Sequence, residues 1–142
     1  MKENERKLKE NERKMIEKLN EAYPFTQNLV MPKYEYNRFD AYNDQYIIEV
    51  KDRETDYPSL MIEFDKYTYN KEFAKIQGSY FWYVVKTDKI YVFDITGIDA
   101  SGYNYRWGWR KMPKTTKFGE KILIDKYVGY IDKCMAIGVI EP

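Results

Sequence analysis

The feature that most constrains this chain is a change of period at Pro24. Before it, residues 2–15 repeat a seven-residue unit, Lys-Glu-Asn-Glu-Arg-Lys-Leu and then Lys-Glu-Asn-Glu-Arg-Lys-Met, built from strong helix formers. After it, short runs rich in Tyr, Ile and Val alternate with turn residues. At about 100° per residue, Leu8, Met15, Ile16, Leu19 and Ala22 share one helical face. Two heptads fall short of the roughly three or four a coiled coil needs. A helix over 2–22 is therefore expected to lay its apolar face on a sheet.

The later text supplies that sheet. Tyr34–Tyr42 and Gln45–Arg53 read as strands of a hairpin turning at Asn43-Asp44, and Ser59–Phe64 reads as a third strand. Asp65–Gln77 has a helical pattern closed by Gly78, with Asp65 suited to the N-cap. Tyr80–Thr87 and Lys89–Ile95 predict a second hairpin across Thr87-Asp88. Residues 97–119 read as a loop, and Ile122–Met135 as a closing helix despite Gly129. The order α-β-β-β-α-β-β-loop-α predicts a single α/β domain spanning 1–142, with a mixed central sheet flanked by helices.

Composition narrows the chemistry. With 0 His, Ser-His-Asp and Cys-His nucleophile systems and His-ligated zinc sites are excluded. The lone Cys134 excludes an internal disulfide and reads as a buried thiol. No stretch approaches the roughly 18 apolar residues of a membrane span, and no targeting segment is visible, so a cytoplasmic protein without membrane attachment is expected. The formal net charge of +1 hides a division. Residues 34–66 carry four basic and nine acidic residues, whereas residues 103–133 carry eight basic and three acidic. Acidic strands suit a cation; a basic aromatic segment suits an anionic partner.

The acidic strands hold the chemistry. Side chains alternate along a strand, so Glu49 and Lys51 share one face while Ile48 and Val50 share the other. A turn at Asn43-Asp44 would set Asp40 opposite Ile47, diagonal to Glu49 on the same face. Two carboxylates, with the Val50 carbonyl, are hard oxygen donors suited to Mg²⁺ or Mn²⁺. Lys51 beside them can position or deprotonate an attacking water, or stabilise charge on a phosphate. On the first helix, Glu12 falls within the apolar stripe while Glu17 points nearly opposite, so Glu12 is the carboxylate expected near a cation.

Asp40, eight intervening residues, then Glu49-Val50-Lys51 resembles the Asp…Glu-x-Lys site of the PD-(D/E)XK nuclease superfamily, which includes restriction endonucleases, phage endonucleases and archaeal Holliday-junction resolvases. The resemblance runs over about residues 8–95, with Phe39 where a proline usually precedes the aspartate. It implies a restriction-endonuclease-like domain and a Mg²⁺- or Mn²⁺-dependent endonuclease acting on DNA, of phage or mobile-element type. Asp40, Glu49 and Lys51 would be catalytic, and Glu12, Asp40, Glu49 and Val50 would hold the metal. Related compact enzymes pair as homodimers, which the resemblance extends to this chain. The competing reading is an inactive protein of the same fold that binds DNA or blocks a host protein.

Downstream, residues 104–117 interleave cations with rings. Arg106, Trp107, Arg110, Lys111, Lys114 and Lys117, with Arg38 and Lys66 near the motif, are the candidate nucleic-acid contacts: cations for phosphates, rings for bases. Glu63 and Lys66, after the third strand, are also placed to support the metal site or touch the backbone of a nucleic acid.

Overall fold

A computed structural model describes residues 3–24, 29, 39–113 and 122–142, with side chains of the first helix described from Glu10 onward. The first helix, α1, spans Glu3–Ala22 and buries Met15, Ile16 and Leu19, as its period requires. Ala22, on the same predicted face, is exposed. Strands follow as β1 (Ala41–Tyr42), β2 (Tyr46–Asp52) and β3 (Ser59–Glu63). Then come α2 (Phe64–Gln77), β4 (Tyr80–Lys86), β5 (Ile90–Asp94) and the short α3 (Ile95–Ala100). The chain continues through β6 (Gly108–Pro113), β7 (Leu123–Asp132) and β8 (Gly138–Ile140). The result is a mixed α/β fold, as the element order predicts.

Among the described residues the strands form two sheets, one of five in the order β1-β2-β4-β5-β8 and one of three in the order β3-β7-β6. β2 lies parallel to β4, with Glu49 beside Tyr83 and Lys51 beside Val85, while the other pairs in the larger sheet are antiparallel. A parallel pair needs a long crossover, and β3 with α2 provides it. One face of the larger sheet packs Ile48, Val50, Trp82, Val84 and Val92 under α1. The other packs Ile47, Phe81, Tyr83, Val85 and Phe93 with Leu60, Ile62, Tyr67 and Ile131 from the second sheet and α2. Burial on both faces explains why β2 reads up to Val50 as an apolar run interrupted only at Glu49.

Several expectations are corrected. The third strand leaves the central sheet and pairs with β7, with Ile62 opposite Gly129. Ile122–Met135 is not a helix but β7 followed by a 3₁₀ turn at Lys133–Met135. Its Ile, Tyr and Val content suits a pleated surface. Gly129 is there for close approach: a Cβ would stand 2.8 Å from the Trp107 ring. The loop expected over 97–119 contains α3 and β6, with 114–119 outside the described residues. Of the strand expected over Tyr34–Tyr42, only Ala41–Tyr42 is described as strand, and 34–38 lie outside the described residues. Asp65 is not the N-cap. Glu63 occupies that position, and Asp65 Oδ1 accepts the Lys66 N–H at 2.8 Å within the first turn. Gly78 does end α2, at φ 72°, a left-handed cap that glycine adopts without strain. Cys134 is exposed, because the turn after β7 lies at the surface. The apolar tail becomes β8, which covers the β5 edge and leaves Ile137 and Val139 exposed.

A candidate active site on the second strand

The hairpin that carries the motif has a longer turn than its sequence suggests. Asn43 Oδ1 accepts the N–H groups of Gln45 and Tyr46, both at 2.8 Å, and Asn43 N–H is donated to the Tyr46 carbonyl. The pairing is consequently Ala41 with Ile48 and Tyr42 with Ile47. That register is two residues on from the expected one, so Asp40, just before β1, lies against Ile48 and next to Glu49 rather than opposite Ile47. Asp40 N–H is donated to the Ile48 carbonyl, and Asp40 Oδ2 accepts the Val50 N–H, each at 2.8 Å. Val50 is thus tied to the site through its amide, where the sequence pointed to its carbonyl.

Glu12 arrives from α1 beside Asp40, which in turn neighbours Glu49. All three carboxyl groups are held above their ordinary range. Burial is the main cause for each, and for Glu12 and Glu49 the neighbouring Asp40 charge is the next. Glu12 is pushed up to about 7. Buried like charges of this kind accept protons or a cation, whichever is offered.

Cations surround the row. Lys66 of α2 places Nζ 3.1 Å from Glu49 Oε1. Burial works against its charge, but Glu49, Glu63 and Asp40 hold it well above the usual lysine range. Lys51 is shifted the other way, lowered by burial and then by the positive charges of Lys66 and Arg53. Glu63 stays ionised despite burial, held below the ordinary range chiefly by a hydrogen bond from Lys126 Nζ at 2.7 Å and the charge of Lys51. Glu49, Lys51, Arg53, Glu63, Lys66 and Tyr83 line a cavity of about 10 Å³, room for about one water. Carboxylate oxygens and an amine whose proton affinity is lowered, around one water-sized space, are what base-assisted hydrolysis needs.

The donor set fits a hard divalent cation: three carboxylates and no nitrogen or sulfur ligand. Among the described residues, no three acidic side chains already surround one point at ligand distance. Asp40 Oδ2 and Glu49 Oε1 are engaged by Val50 and Lys66 instead.

The predicted residues therefore divide. Glu12, Asp40, Glu49, Val50 and Lys51 converge, and Lys66 joins them as a partner of Glu49 rather than on an open binding surface. Arg106, at φ 57°, is held by Asp132 Oδ1 at 3.1 Å and Ser59 Oγ at 3.3 Å, away from the motif. Trp107 packs half-buried against Phe64 and Tyr67, so its ring belongs to the core. Arg110 rests over the Tyr130 ring, and Lys111 pairs with Asp125 at 3.4 Å on the surface. Arg38, Lys114 and Lys117 lie outside the described residues. Sequence reading missed Arg53 and Lys126. The spacing Glu49-x-Lys51-x-Arg53 signalled the first, whereas the second was hidden inside a segment read as helix.

No protein-family model matches this chain, and no curated protein matches it. It is similar to a solved structure of Hjc, a Holliday junction resolvase from Archaeoglobus fulgidus. Identity is 18 % over 87 % of this chain and 91 % of that one, with a TM-score of 0.47. No described helix is long and apolar enough to cross a membrane.

Proposed function

We propose that this protein is a divalent-metal-dependent nuclease that hydrolyses DNA phosphodiester bonds at the Asp40–Glu49–Lys51 site. The supporting observation is that α1, the residue preceding β1, and β2 bring Glu12, Asp40, Glu49 and Lys51 into one row, with Glu49 buried and the other three half-buried. Glu12, Asp40 and Glu49 would hold Mg²⁺ or Mn²⁺. When bound, such an ion polarises a phosphoryl oxygen and acidifies water.

The chain's own groups do the rest. Val50 N–H fixes the Asp40 carboxylate through Oδ2, which orients the group toward Glu12 and Glu49. Lys51, with its affinity for protons reduced, takes a proton from the attacking water at Nζ. Lys66 stays charged and offsets negative charge that builds on the phosphate. Glu63, anchored by Lys126, supplies a carboxylate beside Lys51 that keeps the amine in place.

The test is incubation of purified protein with supercoiled, linear and branched DNA plus Mg²⁺ or Mn²⁺. Cleavage by wild type that is lost in Asp40→Ala and Lys51→Ala supports the reading. No cleavage of any substrate by folded wild type overturns it. One contact favours the competing reading of an inactive DNA-binding protein: Lys66 already gives Glu49 a counter-ion. In that case Lys66→Ala would abolish neither cleavage nor cation binding, because neither exists.

A further inference from the structure

Beyond the site, β6 and β7 form a two-stranded arm that outruns the core. Gly108 through Pro113 pairs with Val128 through Leu123, and Leu123, Ile124 and Trp109 are exposed. Trp109 is two-thirds exposed, at 66 %, yet its ring rests on Tyr127, with centroids 5.1 Å apart. Tyr127 in turn meets Phe64 at 5.2 Å and stacks on Trp107 at 6.1 Å, and Trp107 lies on Tyr105 at 5.2 Å. The outermost indole is therefore the end of an aromatic ladder rooted in the core. It is held in place before any partner arrives, which lowers the ordering cost of binding.

The charge of the arm says what that partner is. The paired stretches Gly108–Pro113 and Leu123–Val128 carry Arg110, Lys111 and Lys126 against a single acidic residue, Asp125, whereas the whole protein has a net charge of +1. A basic strand pair with a rigid exposed ring is complementary to a polyanion that carries aromatic faces. The arm also reaches the site, since Lys126, two residues before buried Val128, donates to Glu63 at 2.7 Å.

We propose that the β6–β7 arm receives an unpaired base of a DNA strand on the open face of Trp109, with Lys111, on the same strand face, meeting a flanking phosphate. The substrate class this adds, which rests on the nuclease reading, is DNA with locally unstacked bases rather than intact duplex. Every base presents a flat face, so the contact selects for single-strandedness and not for sequence.

Anisotropy titrations in EDTA would compare a labelled single strand, a duplex with a short gap and a blunt duplex, using wild type, Trp109→Ala and Trp109→Phe. Trp109 is exposed, so neither change threatens folding. Trp109→Ala should weaken single-strand and gapped binding by about ten-fold and duplex binding by less than about two-fold, with Trp109→Phe retaining most of the affinity. Equal affinities for wild type and Trp109→Ala on all three DNAs would overturn the proposal. So would a shift from dimer to monomer in sedimentation of Trp109→Ala with single-strand affinity unchanged, which would make the arm a contact between copies. Trp109-dependent binding without any cleavage in Mg²⁺ would leave this inference standing and remove the nuclease reading. Cleavage with Trp109-independent binding would do the reverse.

Discussion

The acidic row and the basic arm use charge in opposite ways. Around Asp40 and Glu49, ionisable groups are buried, crowded and engaged with one another, so proton affinities move. On the outer part of β6 and β7 the charges are exposed, as in the Lys111–Asp125 pair at 3.4 Å, whereas Lys126 turns inward to Glu63. Coulomb interaction scales inversely with the local dielectric, so the same side chains that tune chemistry indoors mainly give reach and attraction outdoors. A net charge near zero is thus a sum of two specialised regions.

The sharpest way to break that comparison is to change one buried charge. Lys51→Ala should lower DNA cleavage by about 10²–10⁴-fold, the usual contribution of a positioned proton acceptor. A plasmid-nicking time course with circular dichroism as a folding control measures it. A drop of less than about two-fold would return Lys51 to a structural role.

The join between the regions comes next. Gly129→Val puts a side chain where a Cβ would already meet the Trp107 ring at 2.8 Å. Overpacking of this sort should cost about 1–3 kcal/mol, read as a lower denaturation midpoint. Little change would show that Trp107 is free to move aside.

A third test follows from protons. Because the folded-state pKa of Glu12 is raised to about 7 and those of Asp40 and Glu49 are raised as well, the native site holds protons more tightly than the unfolded chain. That contribution is complete below the ordinary value of 4.5 for Glu12 and is lost as pH rises through about 7. Metal-free protein should therefore be less stable to urea at pH 8 than at pH 5, with Mg²⁺ restoring stability at pH 8. A flat profile would mean that the row relaxes into solvent.

The smallest effect belongs to the arm. Asp125→Ala removes an exposed ion pair and should change stability by less than about 0.5 kcal/mol. A larger loss by chemical denaturation would show that the arm's surface charges are structural.

How much of this was written in the sequence depends on how local each feature is. The α1 stripe, both hairpins and the α2 stop at Gly78 depend on neighbours a few residues apart, and they were legible. So was Glu12, a carboxylate within an apolar stripe. The Asp40 register was misread by two residues because the Asn43 side chain lengthens the turn, a detail that spacing alone does not carry. β7 was misread as helix because its pairing with β3 and β6 is non-local, and Gly129 makes sense only once Trp107 lies over it. Lys126 was lost with it.

Cation binding by the acidic row is what metal-dependent hydrolysis at this site requires first. Calorimetric titration of Mn²⁺ at pH 8 into wild type and Asp40→Asn tests it without any DNA. Saturable binding to wild type that is lost in folded Asp40→Asn is the expected result. No saturable binding to folded wild type, or identical binding by both proteins, would contradict it.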